Sequence, residues 1–179
     1  MKRAVIVLAQ GFEEIEAVAP IDLLRRSPVS VTILGLDSLK VKGSHAITLE
    51  ADLLLQDYSG DFDALVLPGG MPGTTNLANS PYLIDFVQRA DRASKLLAAI
   101  CAAPSVLGKA GVLKNRKATC YPGFEDKLTG AAVQKEPVVC DKNIITSRAA
   151  GTALPFSLEI IHYLCGDECS KTIAASIHY

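Results

Sequence analysis

Apolar residues recur along the chain in short unbroken runs. Between the runs they return every three or four positions. The runs are RAVIVLA (3–9), VSVTILGL (29–36), DALVLPG (63–69), KLLAAI (95–100), KATCY (117–121) and KNIITS (142–147). Runs of this length, rich in β-branched residues and leucine, predict strands buried on both faces. The intervening segments predict helices. EEIEAVAPIDLLRR (13–26) places Ile15, Val18 and Leu23 on one apolar face. SPYLIDFVQRADRA (80–93) opens with Ser80 as an N-cap and Pro81 at the first helical position. GTALPFSLEIIHYLCG (151–166) closes with Gly166 as a C-cap.

Strands alternating with helices predict a mostly parallel sheet covered on both faces. The segment VKGSHAITLEADLLLQD (41–57) breaks the rhythm and reads as an antiparallel excursion, two short strands in a hairpin. The expected fold is a flavodoxin-like, doubly wound α/β sandwich, with residues 1–179 as one domain. Such folds place ligands beyond the carboxyl ends of their strands. That rule selects residues 10–16, 69–75, 101–105, 121–124 and 147–152 for inspection.

Composition narrows the function classes. Of 179 residues, 49% are hydrophobic and 21% charged, the balance of a globular protein. A net charge of −1 gives no general attraction to nucleic acid or to an anionic membrane. No stretch approaches the roughly 18 apolar residues of a membrane span. The amino terminus, MKRAVIVLAQGFEE, is apolar only from Ala4 to Ala9 before two glutamates follow. It reads as a first buried strand rather than a signal peptide, so the expected location is the cytoplasm.

Cysteine usage agrees with that. Cys101, Cys120, Cys140, Cys165 and Cys169 are odd in number and scattered, which argues against a disulfide framework. No C-x-x-C occurs, and His45, His162 and His178 do not pair at ligand spacing, so no metal site is expected. Cys165 and Cys169 would lie one turn apart if their segment is helical. They read as packing positions, with oxidation or metal binding as the alternative.

The stretch KLLAAICAAPSVL (95–107) carries the candidate chemistry. Cys101 ends a buried strand and opens a predicted helix. A nucleophile at such a turn stands above the sheet in strained backbone, and free N–H groups at a helix start favour a thiolate. LPGG (67–70) ends another strand, and the N–H groups of Gly70 and Ala102 form a candidate oxyanion pocket beside Cys101. In GFEEIE (11–16), Glu16 lies beside apolar Ile15 and Ala17. Buried against the sheet, its carboxyl would have a raised pKa and could hold or shuttle a proton.

These pieces, in this order, resemble the ThiJ/PfpI superfamily and, within it, the YajL-like branch, to which the human parkinsonism-associated deglycase belongs. The matching stretches are RAVIVLAQGFEEIEAVAPIDLLRR, DALVLPGG, AAICAAPSVL and TSRAAGTALPFSLEII, spanning nearly the whole chain. The resemblance implies that Cys101 is a reactive, oxidation-sensitive nucleophile, Glu16 its acid/base partner, and the backbones of Gly70 and Ala102 the anion pocket. It implies a homodimer with the site near the interface, and it places Arg26 where it reaches the partner's site. Gly69, Tyr121 and Arg148 become candidates to face a substrate. The implied activities are glyoxalase III or deglycase chemistry on a small reactive carbonyl, without cofactor, or redox-regulated chaperoning through an oxidised cysteine.

Several positions depart from the family pattern. Tyr121-Pro122 stands where many members have histidine-proline, and tyrosine, with an ordinary pKa near ~10, is a poor base. Ala102 stands where the protease-like branch has histidine, so a Cys-His protease is not expected. Ala149-Ala150 replaces glycine-proline, and His45 occupies a usually basic hairpin position.

Overall fold

The computed structural model describes residues Met1–Tyr179. The chain opens with β1 (Lys2–Leu8), α1 (Glu14–Arg26) and β2 (Val29–Gly35), then the short strands β3 (Lys40–Lys42), β4 (Thr48–Glu50) and β5 (Leu53–Leu54). β6 (Ala64–Leu67), α2 (Gly73–Asn79), α3 (Pro81–Arg92), β7 (Leu96–Ile100) and α4 (Pro104–Lys109) form the middle. β8 (Lys117–Ala118), β9 (Ala132–Val133), β10 (Val138–Asp141), β11 (Ile144–Ser147), α5 (Ala153–Cys165) and α6 (Asp167–Ser176) complete it.

Seven strands form one sheet in the order β10-β11-β7-β6-β1-β2-β5. Every neighbouring pair is parallel except β10 with β11. Parallel neighbours need crossovers, and the helices that supply them cover both faces. Val5, Val7, Leu65, Leu67 and Leu97 pack on one face against Leu83, Phe86 and Val87 of α3 and Leu107 of α4. Ile6, Leu8, Val66, Ala98 and Ile145 pack on the other against Ile21 and Leu24 of α1 and Phe156 and Ile160 of α5. Alternate residues of β1 thus serve different cores, as the period of a strand requires. The fold is the flavodoxin-like α/β sandwich expected. None of its helices is long and apolar enough to cross a membrane.

Local signals held where their chemistry is backbone-specific. Ser80 caps α3 by accepting the Leu83 N–H at 3.2 Å, and Pro81 follows at the first position. Gly166 ends α5 at φ 91. The predicted excursion contains the β3–β4 antiparallel hairpin, but Leu53–Leu54 then joins the main sheet as a parallel edge strand.

Three expectations need correction. KATCY contributes only Lys117–Ala118 as strand, paired with β9 in a separate two-stranded sheet. The last sheet strand begins at Ile144, because Lys142 takes φ 56 in the turn of a β10–β11 hairpin whose first strand the sequence pattern left unassigned. On α1 the buried face is Glu16, Ala17, Pro20, Ile21, Leu23 and Leu24, while Ile15 is 56% and Val18 43% exposed. The stripe that faces the core is Ala17, Pro20, Ile21 and Leu24, the i, i+3, i+4, i+7 spacing of an apolar helix face, with Glu16 beside it.

Phe156 is fully buried between α5 and the sheet. Phe156→Ala is expected to lower stability by about 3–5 kcal/mol, read as a reduced urea midpoint with the m-value unchanged.

Candidate active site

β7 ends at Ile100, and Cys101 immediately adopts φ 64. A left-handed backbone at a residue with a Cβ costs about 1–3 kcal/mol, so its neighbours must hold it there. The Cys101 N–H donates to the Ser147 carbonyl at the end of β11 (2.9 Å), and the Cys101 carbonyl accepts the Tyr121 N–H (2.8 Å). These bonds tie the turn to two other segments at the carboxyl edge of the sheet. The thiol is half-buried, and the N–H groups of Gly70 and Ala102 lie near enough to its sulfur to favour the thiolate against burial.

Glu16 reaches the same place from the first turn of α1 and is fully buried. Its Oε2 accepts the Gly69 N–H at 2.8 Å. Its Oε1 has no hydrogen bond of ordinary geometry, and the Cys101 thiol and the Ala150 N–H are the donors turned toward the carboxyl. Gly69 permits the approach. A Cβ there would lie 2.7 Å from Glu16 Oε2 and 2.8 Å from the Cys101 Cβ, closer than such atoms can pack. Glu13 completes the seat. Its carboxylate caps α1 by accepting the Glu16 N–H at 2.8 Å, and its own N–H donates to the Gly69 carbonyl at 2.9 Å.

Electrostatics make the two groups rivals for one proton. Burial pushes Glu16 up to about 7; the nearby Glu13 charge adds to this, and the bonds from Cys101 and Gly69 oppose it. Burial, then the Glu16 charge, push Cys101 up to about 12 against the opposing Gly70 and Ala102 N–H groups. The expectation that a helix start would favour the thiolate is therefore not met while Glu16 is ionised. α4 is only six residues long and begins three residues after the thiol, so its field is weak beside burial. A proton moved from sulfur to Glu16 removes the repulsion and leaves the sulfur facing two N–H donors.

The other predicted residues are dispersed. Gly69 is buried and serves Glu16 rather than facing solvent. Tyr121 contributes its backbone to the Cys101 turn, while its exposed ring stacks edge-on against Phe124. Arg148 bonds the Lys135 carbonyl at 3.3 Å and its charge acts on Cys120. Arg26 sits ten residues beyond Glu16 on α1, about 15 Å along the axis, paired with Asp22 at 2.8 Å. It is outside the site of its own chain. His45 folds the hairpin tip onto α1, its Nδ1 2.9 Å from Glu14 Oε2. Sequence reading placed Glu13 and Ser147 among the positions to inspect but gave neither a role, because glutamate is outside the usual N-cap set and a carbonyl carries no side-chain signal.

Glu13, Glu14 and His45 also bring potential metal-ligand atoms within 4.8 Å of one another. Much of their capacity is already used: Glu13 caps α1, and Glu14 accepts the N–H groups of His45 and Ile47. A groove of about 500 Å³ is bordered by Met71, Ser105 and Phe124, which follow Gly70, Ala102 and Tyr121 along the chain, and by Thr74, Lys109 and Lys127; Cys101 and Glu16 do not line it.

A strained cysteine on a flavodoxin-like sheet, faced by a buried glutamate and two backbone N–H groups, defines a cysteine-centred α/β protein. The chain belongs to the DJ-1/PfpI family, whose family model matches residues 2–163. It is 38% identical over 180 residues to protein dj-1beta of Drosophila melanogaster, covering 98% of this chain and 96% of that protein. It is 33% identical over 176 residues to the Caenorhabditis elegans glutathione-independent glyoxalase DJR-1.2, covering 96% of this chain and 94% of that protein. The solved structure of oxidized Toxoplasma gondii DJ-1 superposes with a TM-score of 0.96 at 34% identity, covering 100% of this chain and 99% of that one.

Glu16 makes stability depend on pH. The folded protein keeps a proton that the unfolded chain releases near 4.5, while the folded group holds it to about 7. Its stabilising contribution is full below pH 4.5 and is lost as pH rises to about 7, about 3 kcal/mol in all. Glu16→Gln cannot titrate and is expected to flatten this part of the profile in urea unfolding at pH 5 and pH 8.

Proposed function

We propose that the protein is a cysteine-dependent glyoxalase- or deglycase-type enzyme acting without cofactor on small 2-oxoaldehydes or their early adducts. The observation that carries this reading is the Glu16 carboxyl turned toward the Cys101 thiol, with the Gly70 and Ala102 N–H groups at the sulfur. With a pKa of about 7, Glu16 is suited to both taking and giving protons near neutrality. It takes the thiol proton as sulfur attacks the aldehyde carbon. The new C–S bond leaves an oxyanion beside the two N–H donors. Glu16 first returns the thiol proton to the oxyanion, giving the hemithioacetal; it then takes the C1 proton and delivers it to C2 while the O1 hydroxyl proton passes to O2, which gives a thioester of the 2-hydroxy acid. Water cleaves the thioester and returns the thiol, so the net change is addition of water to the oxoaldehyde. Glu16 thus does the work that a histidine would do where Tyr121 stands. The name of the nematode relative supports the glyoxalase form. Five free cysteines support a reducing cytoplasmic setting.

The test is methylglyoxal consumption without glutathione. Cys101→Ser and Glu16→Gln are each expected to reduce kcat/KM by about 100-fold or more. Full turnover in either variant overturns the mechanism.

A second reading, a redox-sensing protein or chaperone, is favoured by the description of the Toxoplasma relative as oxidized. There Cys101 is taken to the sulfinate without turnover, held by protonated Glu16 and the Gly70 N–H. Under mild peroxide Cys101 is then oxidised before the other four cysteines, seen by peptide mass spectrometry, and oxoaldehyde turnover is absent.

A homodimer is part of the proposal. Ile15 and Val18 are exposed on α1, Ile47 on the hairpin tip that Glu14 holds against it, and Leu154 at the start of α5. Exposed apolar side chains on elements that carry or adjoin Glu16 suit a second copy of the chain. Sedimentation is expected to give a dimer for the wild type and a monomer for Ile15→Asp. A monomeric wild type rejects it.

A further inference from the structure

α5 ends at Cys165, and α6 begins at Asp167. Gly166 between them takes φ 91, and its N–H closes α5 on the His162 carbonyl at 2.9 Å. In an unbroken helix, residues four apart hold their Cβ atoms about 5–6 Å apart, beyond the roughly 3.5–4.5 Å that a disulfide requires. The break at Gly166 lifts that constraint. α6 packs back on α5, where the Ser170 hydroxyl donates to the Leu158 carbonyl at 2.8 Å. The Cys165 and Cys169 thiols are neighbours across the break, near enough for each to act on the other's charge. Both are half-buried, and both open onto one cleft of about 440 Å³ bordered by Arg26, Pro28, Glu168 and Thr172. The cleft gives a small reagent a way in.

We propose that Cys165 and Cys169 form a second thiol site, a dithiol that reacts with small-molecule disulfides and closes to an intramolecular disulfide. One thiol, as thiolate, attacks a sulfur of the small disulfide. A mixed disulfide forms, and the first small thiol leaves with the proton. The second cysteine then attacks the protein sulfur of that mixed disulfide. The Cys165–Cys169 bond forms and the second small thiol leaves. The protein pair is oxidised by two electrons and the small disulfide is reduced by two. The chemistry makes no use of Cys101 or Glu16, so it stands or falls separately from the oxoaldehyde reaction. The closed loop is short, and closure is expected to change thermal stability little.

The full chain, equilibrated with mixtures of reduced and oxidised glutathione, then acid-quenched and alkylated, tests this. Trypsin cleavage after Arg148 and Lys171 places Cys165 and Cys169 on one peptide, apart from Cys101, Cys120 and Cys140. That peptide is expected to lose two hydrogens and refuse alkylation as the oxidised fraction rises, in the wild type and equally in Cys101→Ser. In Cys165→Ser and in Cys169→Ser the remaining thiol is expected to retain glutathione, because nothing displaces it. A wild-type peptide that takes two alkyl groups throughout, that accumulates glutathione on both cysteines, or that links two chains overturns the proposal. So does closure that depends on Cys101.

Discussion

Glu16 lies in the core with no cation beside it, and the arrangement around Cys101 follows from that one burial. A carboxylate so placed needs donors, and Gly69 supplies one from its backbone. The position beside it can carry no side chain, because a Cβ would fall between the carboxyl and the cysteine. Glu13 fixes the start of α1 so that Glu16 points inward instead of into solvent. Ile15 and Val18 face outward on the other side of α1. The acid, its cap and the strand end that meets it are thus tied to a single side chain's position.

The chemistry this permits depends on the proton more than on the charge of either partner alone. Burial raises both groups, and each is raised further by a charged neighbour. A site of this kind does not display a standing thiolate. It makes one when Glu16 accepts the proton, and it holds the result between two backbone N–H groups.

Much of the fold was legible because continuous apolar runs and capping residues act locally. Ser80, Pro81 and Gly166 do in space what their side chains, or the lack of one, favour in isolation. The strand at 138–141 was not legible, since VVCD is short, and its pairing across the Lys142 turn is an event of the sheet edge. KATCY reads as strand by composition, yet its carboxyl half is drawn into the turn that holds Cys101 through the Tyr121 N–H. Around Cys101 the structure brings together Glu16, Gly70 and Ala102, which the sequence pointed to because each carries or frames a titratable or hydrogen-bonding group beside the cysteine. Glu13 and Ser147 fell among the positions selected for inspection, but their roles were not legible, since they act through a cap outside the preferred set and through a carbonyl. The direction of the Cys101 shift was misjudged for a related reason: the helix start was visible in sequence, while the depth of burial was not.

β1 is flanked by β2 and β6, so the crossovers diverge between β1 and β6. Open sheets of this type commonly hold a nucleotide in the crevice at that divergence. Here Gly11 and Gly70, both at positive φ, bring the loops after these two strands into direct contact, and a Cβ on either would strike the backbone of the opposite loop. Main chain fills the berth that a phosphate group would take. At this point of the sheet the two loops are keyed to each other through main chain, so any residue larger than glycine at 11 or 70 would force them apart and carry the Cys101–Glu16 pair with them.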